Sequence, residues 1–227
     1  MQRAIRILVL VLIAGLASLW GIAWFGREPG EPLADAFTRQ VARLTGQAAP
    51  PTAPTPGAMQ LPASMQLGGP FTLVNQDGRT VTEADFKGQL LVAYFGYTFC
   101  PDVCPTELGG IASAMDLLTP EEAERATPAL FTIDPERDTP EQLKAYVSNF
   151  HPRMVGLTGS AEQVAQAAKR FRVFYAKVER PEMSEYLMDH SSFIYLIGNG
   201  GQVLALLRPQ SSPETIAAAI RAQLPKM

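Results

Sequence analysis

The two cysteines of this chain, Cys100 and Cys104, lie four positions apart in the segment GYTFCPDVCP at residues 96–105. An apolar run at residues 90–95 precedes them, and apolar residues at helical spacing follow them as far as Leu118. This order of strand, turn and helix places the thiols at a helix N-terminus, where free backbone N–H groups and the helix dipole favour the thiolate. Because the thiolate attacks disulfides and binds metals, the segment predicts a reactive site.

The spacing of the cysteines leaves two chemistries open. Sulfurs at positions i and i+4 lie on one face of a helical turn. They could form a disulfide, or they could hold one soft metal ion together with a third ligand from elsewhere. A purely structural disulfide is the less favoured interpretation, because so small a loop gains little stabilisation from chain entropy.

Strands and helices alternate along residues 67–227, which are predicted to form one domain. A hairpin with an Asp-Gly turn is expected near residues 71–81, and buried strands are expected at residues 90–95, 129–133 and 174–178. Capping sequences begin helices after Thr119, Thr139 and Ser160. A second hairpin at residues 193–207 and a last helix complete an α/β fold with a mixed central sheet flanked by helices. The cysteine pair at the start of the first main helix favours the thioredoxin-like fold.

His190 is the candidate for the third ligand. It lies just before a predicted strand, at the place where thioredoxin-like proteins carry a cis-proline that faces the cysteine pair. The other histidine, His151, follows a predicted helix end and is interpreted as a capping or solvated residue. Two thiolates and an imidazole suit copper or zinc. Zinc in a structural site usually takes a fourth ligand, so three ligands with an open face favour copper that is passed on.

Two carboxylates are candidates for supporting roles. Asp134 opens the segment DPERDTP at the end of a predicted strand, and ligand sites of open α/β sheets favour that edge. Asp134 could therefore tune the site or contact a partner, or it could simply belong to a strand–helix turn capped by Thr139. Asp189 could orient the His190 ring through a hydrogen bond; a plain loop carboxylate is the alternative.

The N-terminal region predicts a membrane anchor. Residues 7–26 carry no charge and only one polar residue, Ser18, and they are long enough to span ~30 Å of hydrocarbon as a helix. Arg3 and Arg6 place residues 1–6 in the cytoplasm and the rest of the chain outside. A cleaved signal peptide is disfavoured, because its apolar core is normally only about 7–15 residues long. Residues 27–66 read as a juxtamembrane segment and an Ala/Pro-rich tether. The compartment outside permits thiol oxidation.

The composition excludes one class of partner. The net charge of −3 gives no support to nucleic-acid binding, which requires a basic face. The hydrophobic fraction of 47% is sufficient for a packed core.

Three segments together resemble the Sco/SenC family of copper-binding proteins: YTFCPDVCP at residues 97–105, DPERDTP at residues 134–140 and DHS at residues 189–191. The resemblance extends from about residue 67 to the C-terminus. It implies a thioredoxin-like domain that binds one copper ion, as Cu(I) or Cu(II), through Cys100, Cys104 and His190. It also implies a role in assembling the binuclear copper centre of cytochrome c oxidase, with the copper-bearing subunit of that enzyme as partner.

The first hypothesis is therefore a copper metallochaperone with a single span in the bacterial inner membrane and its domain in the periplasm. Other periplasmic copper carriers or thiol reductants would be further partners. The alternative is an enzyme, a thiol–disulfide oxidoreductase that uses Cys100 and Cys104 as a redox disulfide and reduces the cysteines of the target protein. A third hypothesis, a peroxiredoxin-like peroxidase, requires an arginine and a threonine around one cysteine of low pKa; Thr98 and Arg137 are present, but their presence alone is not evidence for it.

Overall fold

The computed structural model describes residues 66–179 and 185–224, the pair Ala58 and Met59, and six residues between Arg6 and Trp24. The chain divides into two compact units, Met1–Pro54 and Thr55–Met227. In the first unit the six described residues are helical. The predicted anchor at residues 7–26 and the tether at residues 27–66 lie almost entirely outside the described residues. Among the residues that are described, no helix has the length and apolar character needed to cross a membrane.

Ten strands and five α-helices make up the described part of the second unit. The strands are β1 (Ala58–Met59), β2 (Thr72–Asn75), β3 (Thr80–Thr82), β4 (Leu90–Gly96), β5 (Ala126–Thr132), β6 (Val155–Thr158), β7 (Tyr175–Val178), β8 (Leu187–His190), β9 (Ile194–Ile197) and β10 (Val203–Leu207). The helices are α1 (Val103–Asp116), α2 (Pro120–Glu124), α3 (Pro140–Val147), α4 (Ala161–Arg170) and α5 (Pro213–Gln223). Eight strands form one mixed sheet in the order β1-β10-β9-β4-β5-β6-β2-β3, and β7 and β8 form a separate two-stranded sheet. Helices α1 and α5 pack together against the sheet, and α3 packs against β6. The predicted α/β fold with a mixed central sheet flanked by helices is confirmed.

The centre of the sheet explains where the reactive segment lies. Strand β4 runs parallel to β5, from Leu90 opposite Ala126 to Gly96 opposite Thr132. Every residue of both strands is buried, as expected for parallel strands that are covered on both faces. Because the two strands end side by side, the segments that follow them emerge at the same edge of the sheet. These segments carry Cys100 and Asp134.

The predicted helix starts are also confirmed. The side chains of Thr119 and Ser160 each accept a hydrogen bond from the backbone three residues later and complete a reciprocal capping box. Thr139 accepts the amide of Gln142 in the same way. These caps fix the first residues of α2, α3 and α4.

Four features of the sheets differ from expectation. Residues Ala58–Met59 form β1 of the main sheet, although residues 27–66 were expected to lie outside the domain. Strand β6 was not predicted, and the strand expected at residues 174–178 forms β7 outside the main sheet. Its partner β8 was not predicted either, and His190, which was expected to lie just before a strand, is itself part of one. His190 is the last residue of β8 and lies opposite Tyr175. The sequence does not predict β8 because this strand is short and only partly buried, so its apolar pattern is weak.

Candidate metal centre

The two cysteines lie in the connection from β4 to α1 and in the first turn of α1. Both are free thiols, and Cys104 is fully buried whereas Cys100 is 9% exposed. The backbone N–H of Cys104 donates a hydrogen bond to Sγ of Cys100 over 3.4 Å. Gly96 makes this packing possible, since a Cβ atom there would lie 2.9 Å from Sγ of Cys104. The strand end and the helix start therefore hold both sulfurs at the edge of the sheet.

The β7–β8 hairpin brings His190 to these sulfurs. Nε2 of His190 lies 3.6 Å from Sγ of Cys104, across 86 positions of sequence. The other ring nitrogen, Nδ1, donates to the backbone carbonyl of Ser191 over 3.0 Å, since a carbonyl oxygen can only accept. This bond selects the tautomer whose Nε2 lone pair faces the sulfurs. Edge contacts with the rings of Tyr94 and Tyr97 also hold the imidazole, at centroid distances of 5.9 and 6.0 Å.

The three donor atoms are close enough to share one ion. The two sulfurs and a histidine nitrogen all lie within 4.8 Å of one another. Donors that bind a single ion at bond lengths of about 2.0–2.3 Å are separated by about 3.7–4.0 Å in a trigonal site. Small rotations of the side chains are therefore sufficient to form a three-coordinate site, and thiolate with imidazole is a donor set that suits copper or zinc.

The two thiols differ in their acidity. A hydrogen bond from the Cys104 thiol lowers the pKa of Cys100 to about 4, and the backbone N–H groups of the helix start contribute in the same direction. The pKa of Cys104 is raised well above its ordinary range, because Cys104 is the donor of that bond and is buried. Near neutral pH the pair therefore holds one proton, and Cys100 is the thiolate.

Asp138 supports the cysteine segment and was not singled out from the sequence. Its carboxylate is fully buried, and it accepts hydrogen bonds from the backbone N–H and the hydroxyl of Thr98 and from the hydroxyl of Thr132. The bond from the Thr98 hydroxyl is 2.6 Å long. Asp138 thus ties the chain just before Cys100 to the end of β5.

Asp134 lies at the predicted edge but contacts neither cysteine nor His190 directly among the described residues. One oxygen accepts Nε of Arg137 over 2.6 Å and the other accepts the hydroxyl of Tyr186 over 2.8 Å. Its side chain is 3% exposed. The carboxylate of Asp134 therefore holds Arg137 and the start of the segment that carries His190.

Asp189 does not orient the His190 ring as expected. Its side chain is exposed, Nδ1 of His190 is hydrogen-bonded to the carbonyl of Ser191, and Nε2 faces Sγ of Cys104. Successive residues of a strand point to opposite faces, which explains why the carboxylate turns away from the ring.

The remaining candidates have local roles. His151 was interpreted as a capping or solvated residue; its side chain is only 13% exposed, and its Nδ1 accepts the backbone N–H of Arg153 over 3.1 Å, which is a local bond of the capping kind. Thr98 is bound to Asp138, and Arg137 is paired with Asp134. Within the described residues no hydrogen bond links Thr98 or Arg137 to either sulfur, so the arrangement that the peroxidase hypothesis requires is not formed.

The fold and the site together define an α/β protein with two cysteines and a histidine that could hold a metal ion at the edge of its sheet. The family model described as SCO1/SenC matches residues 59–225. The chain belongs to the SCO1/SenC family.

Known proteins agree with this assignment. "Protein sco1" of Schizosaccharomyces pombe is 40% identical over 157 residues, which are 68% of this chain and 60% of that protein. The chain therefore spans less than two thirds of that relative's length. The fold also matches the thioredoxin-like Sco structures. The crystal structure of Arabidopsis thaliana ScoI with copper bound has a TM-score of 0.64 and 36% identity, covering 71% of this chain and 99% of that one.

A second solved structure is that of BsSco, a member of the Sco family of cytochrome c oxidase assembly proteins in which a disulfide switch was identified. It matches with a TM-score of 0.54 and 26% identity and covers 73% of this chain and 98% of that one.

Proposed function

We propose that this protein is a copper metallochaperone that takes part in assembling the binuclear copper centre of cytochrome c oxidase. Cys100, Cys104 and His190 bind one copper ion as cargo and release it to the copper-bearing subunit of the oxidase. The observation that carries this proposal is the 3.6 Å approach of Nε2 of His190 to Sγ of Cys104, with the lone pair of Nε2 directed at the sulfurs. The copper-bound relative and the relative named as an oxidase assembly protein support it.

Loading and release proceed by ligand exchange without a change in the oxidation state of the protein. Cys100 is already a thiolate, so it binds first, and Cys104 loses its proton as it becomes the second ligand. Nε2 of His190 completes the set. Donor groups of the partner then displace the ligands one at a time, beginning with those that the partner can reach. Cys100 and His190 are partly accessible whereas Cys104 is fully buried, so Cys104 is the last ligand to dissociate from copper.

We further propose that residues 7–26 anchor the protein in the bacterial inner membrane by a single span. Residues 1–6 then lie in the cytoplasm, and residues 27–66 hold the copper-binding domain in the periplasm. The uncharged run and the arginines that precede it support this arrangement. Other copper carriers and thiol reductants of the periplasm are the proposed sources of copper and of electrons. Asp189, which is exposed beside His190, is proposed as a further contact for a partner, and the buried Asp134 is proposed to support the site through Arg137 and Tyr186.

The second candidate function is thiol–disulfide exchange, and the lowered pKa of Cys100 favours it. The Cys100 thiolate would attack a disulfide of the target and release one target thiolate. Cys104, after losing its proton, would then attack Cys100 in the mixed disulfide. The products are the reduced dithiol of the target and a Cys100–Cys104 disulfide, so two electrons pass from this protein to the target.

Copper titration of the whole chain, reduced and purified in detergent, separates the two functions. We expect one copper per chain, and we expect His190→Ala to weaken binding by at least about 10-fold while exchange with a small disulfide persists. His151→Ala is the matched control, because it removes the other histidine without touching the site. Unchanged copper affinity in His190→Ala contradicts the three-ligand site.

An experiment in cells distinguishes copper delivery from reduction of the target's cysteines. In a strain that lacks this protein, added copper should restore oxidase activity if copper delivery is the main function. If added copper fails to restore activity, thiol reduction is the main function.

A further inference from the structure

The side chain of Arg137 lies between the two segments that carry the metal ligands. On one side its guanidinium carbon lies 4.7 Å from the ring centroid of Phe99, the residue before Cys100, and 5.8 Å from that of Tyr97. A guanidinium that stacks on aromatic faces at these distances is attracted by the ring electrons. Arg137 therefore contacts the cysteine loop, which we define as residues 97–102.

On its other side Arg137 holds the segment that leads into β8. Its Nη1 donates to the backbone carbonyl of Tyr186 over 3.0 Å, and its guanidinium carbon lies 3.6 Å from the Tyr186 ring centroid. The Tyr186 hydroxyl donates to Asp134, which also accepts Nε of Arg137. Tyr186 lies four positions before His190. Arg137, Asp134 and Tyr186 thus form a closed set of contacts, which we call the arginine clamp.

The arginine clamp is well suited to fix the distance between the cysteine loop and the segment that leads into β8. The Arg137 side chain is only 12% exposed and that of Asp134 only 3%, so solvent competes little for their hydrogen bonds. The planar guanidinium directs Nε toward Asp134 and Nη1 toward Tyr186 at the same time, and a lysine ammonium has no such fixed fork. A second link runs parallel to it, because the backbone N–H of Met188 donates to the Tyr97 hydroxyl over 3.2 Å.

We propose that Arg137 is a positioning residue for the metal centre: it joins the cysteine loop to the β7–β8 hairpin and so sets His190 over the sulfurs. Arg137 does not bind the metal itself. Its effect on the site passes through the position of the His190 ring. The inference extends the proposed copper site and rests on it, but the geometry of the clamp also exists in the metal-free protein and can be tested there.

The test compares Arg137→Lys with wild type in two backgrounds, one with His190 and one with His190→Ala. Lysine keeps the positive charge beside the buried Asp134 but loses the fork and the flat stacking surface. With His190 present, Arg137→Lys should weaken copper binding by about 10-fold, as expected for a residue that orients a ligand. In the His190→Ala background the same change should alter binding by less than about twofold, because the clamp then has no ligand to position.

Arg221→Lys is the matched control. Nε of Arg221 also donates to a carboxylate, that of Glu122, and its Nη2 donates to a backbone carbonyl, that of Leu117. These contacts join α5 to α2 and to the α1–α2 connection and touch neither ligand segment, so this variant should bind copper as wild type does. The proposal is overturned if Arg137→Lys weakens copper binding equally in the two backgrounds. It is also overturned if Arg137→Lys weakens copper binding no more than Arg221→Lys does.

Amide hydrogen exchange in the reduced, metal-free protein supplies a readout that does not need copper. Arg137→Lys should accelerate exchange of the Met188 amide, which lies in β8, while the amides of the central strand β4 keep their wild-type rates. If the Met188 amide exchanges as slowly as in wild type, the clamp does not hold the hairpin. If the wild-type protein does not bind copper, the proposed function is overturned instead. Amide hydrogen exchange of Met188 would still decide whether Arg137 holds the hairpin.

Discussion

The carboxylate of Asp138 accepts hydrogen bonds from both the backbone N–H and the hydroxyl of Thr98, at 3.1 and 2.6 Å. Thr98 lies two positions before Cys100, whereas Asp138 follows the neighbouring strand β5. The ends of two parallel strands are thus joined by a buried acid directly beneath the cysteine segment. The position of the sulfurs therefore depends on a residue that binds no metal.

Asp138→Asn should destabilise the protein and loosen the cysteine segment. Asparagine has one acceptor oxygen, so at least one of the donors now bound would lose its partner, at a cost of about 1–3 kcal/mol in the free energy of unfolding. Urea denaturation of the reduced protein measures this cost. Asp116→Asn, at a side chain that is 76% exposed, is the control and should leave stability within about 0.5 kcal/mol of wild type. Equal stabilities of the two variants would contradict the role of Asp138.

Limited alkylation of the reduced, metal-free protein should modify Cys100 before Cys104. The pKa of Cys100 is lowered to about 4, so its thiolate persists until the pH falls near that value. The alkylation rate should therefore change little between about pH 6 and pH 8, whereas an ordinary thiol reacts about tenfold faster for each unit over this range. Mass spectrometry of the modified peptides gives the rates. In the urea-unfolded protein the alkylation rate of both cysteines should rise with pH as it does for an ordinary thiol. If the alkylation rate of Cys100 rises in the same way in the folded protein, the prediction is contradicted.

Copper affinity should increase with pH by about tenfold per unit between about pH 7 and pH 8.5. The direction of this pH dependence follows from the protonation states of the two thiols. Cys100 is already deprotonated in this range, while the raised pKa of Cys104 means that its proton must leave when the ion binds. Competition with a copper chelator of known pH dependence measures the slope. A hundredfold change per unit would show that two protons leave and that Cys100 is not a thiolate in the free protein.

Gly96→Ala should displace the Cys104 sulfur. A Cβ atom at this position would lie 2.9 Å from that sulfur and 2.9 Å from a ring atom of Tyr94. Because overpacking of a buried site costs about 1–3 kcal/mol, we expect lower stability together with weaker copper binding.

The glycine at position 109 of α1 provides the comparison for this substitution. A Cβ atom on Gly109 would meet nothing within 4 Å. Gly109→Ala should therefore raise the free energy of unfolding by about 0.5–1 kcal/mol and leave copper binding unchanged. Thermal unfolding and copper competition on both variants check the pair of predictions, which fails if Gly96→Ala binds copper as tightly as Gly109→Ala.

The parts of the fold and site that the sequence predicts are those with a strong local pattern. The buried strand β4, the capped helices and the cysteine segment each have one. His190 could be selected because the chain has only two histidines and one of them precedes a predicted strand. Strand β8 lacks such a pattern, since its last two residues are Asp189 and His190.

Other features depend on contacts between distant segments and leave no local pattern. The burial of Asp138 depends on the pairing of β4 with β5, and the stacking of Arg137 on Tyr186 joins residues 49 positions apart. The orientation of His190 is set by a backbone carbonyl, which every residue possesses, so the sequence pointed to the neighbouring Asp189 instead. The membrane span at residues 7–26 remains a prediction.

X-ray absorption by copper in the loaded, reduced protein tests most directly whether both sulfurs and the imidazole bind the same ion. We predict two sulfur neighbours and one imidazole nitrogen around copper, with the nitrogen signal lost in His190→Ala and retained in His151→Ala. A spectrum of two sulfurs without imidazole in the wild-type protein, unchanged by His190→Ala, would contradict the three-ligand centre.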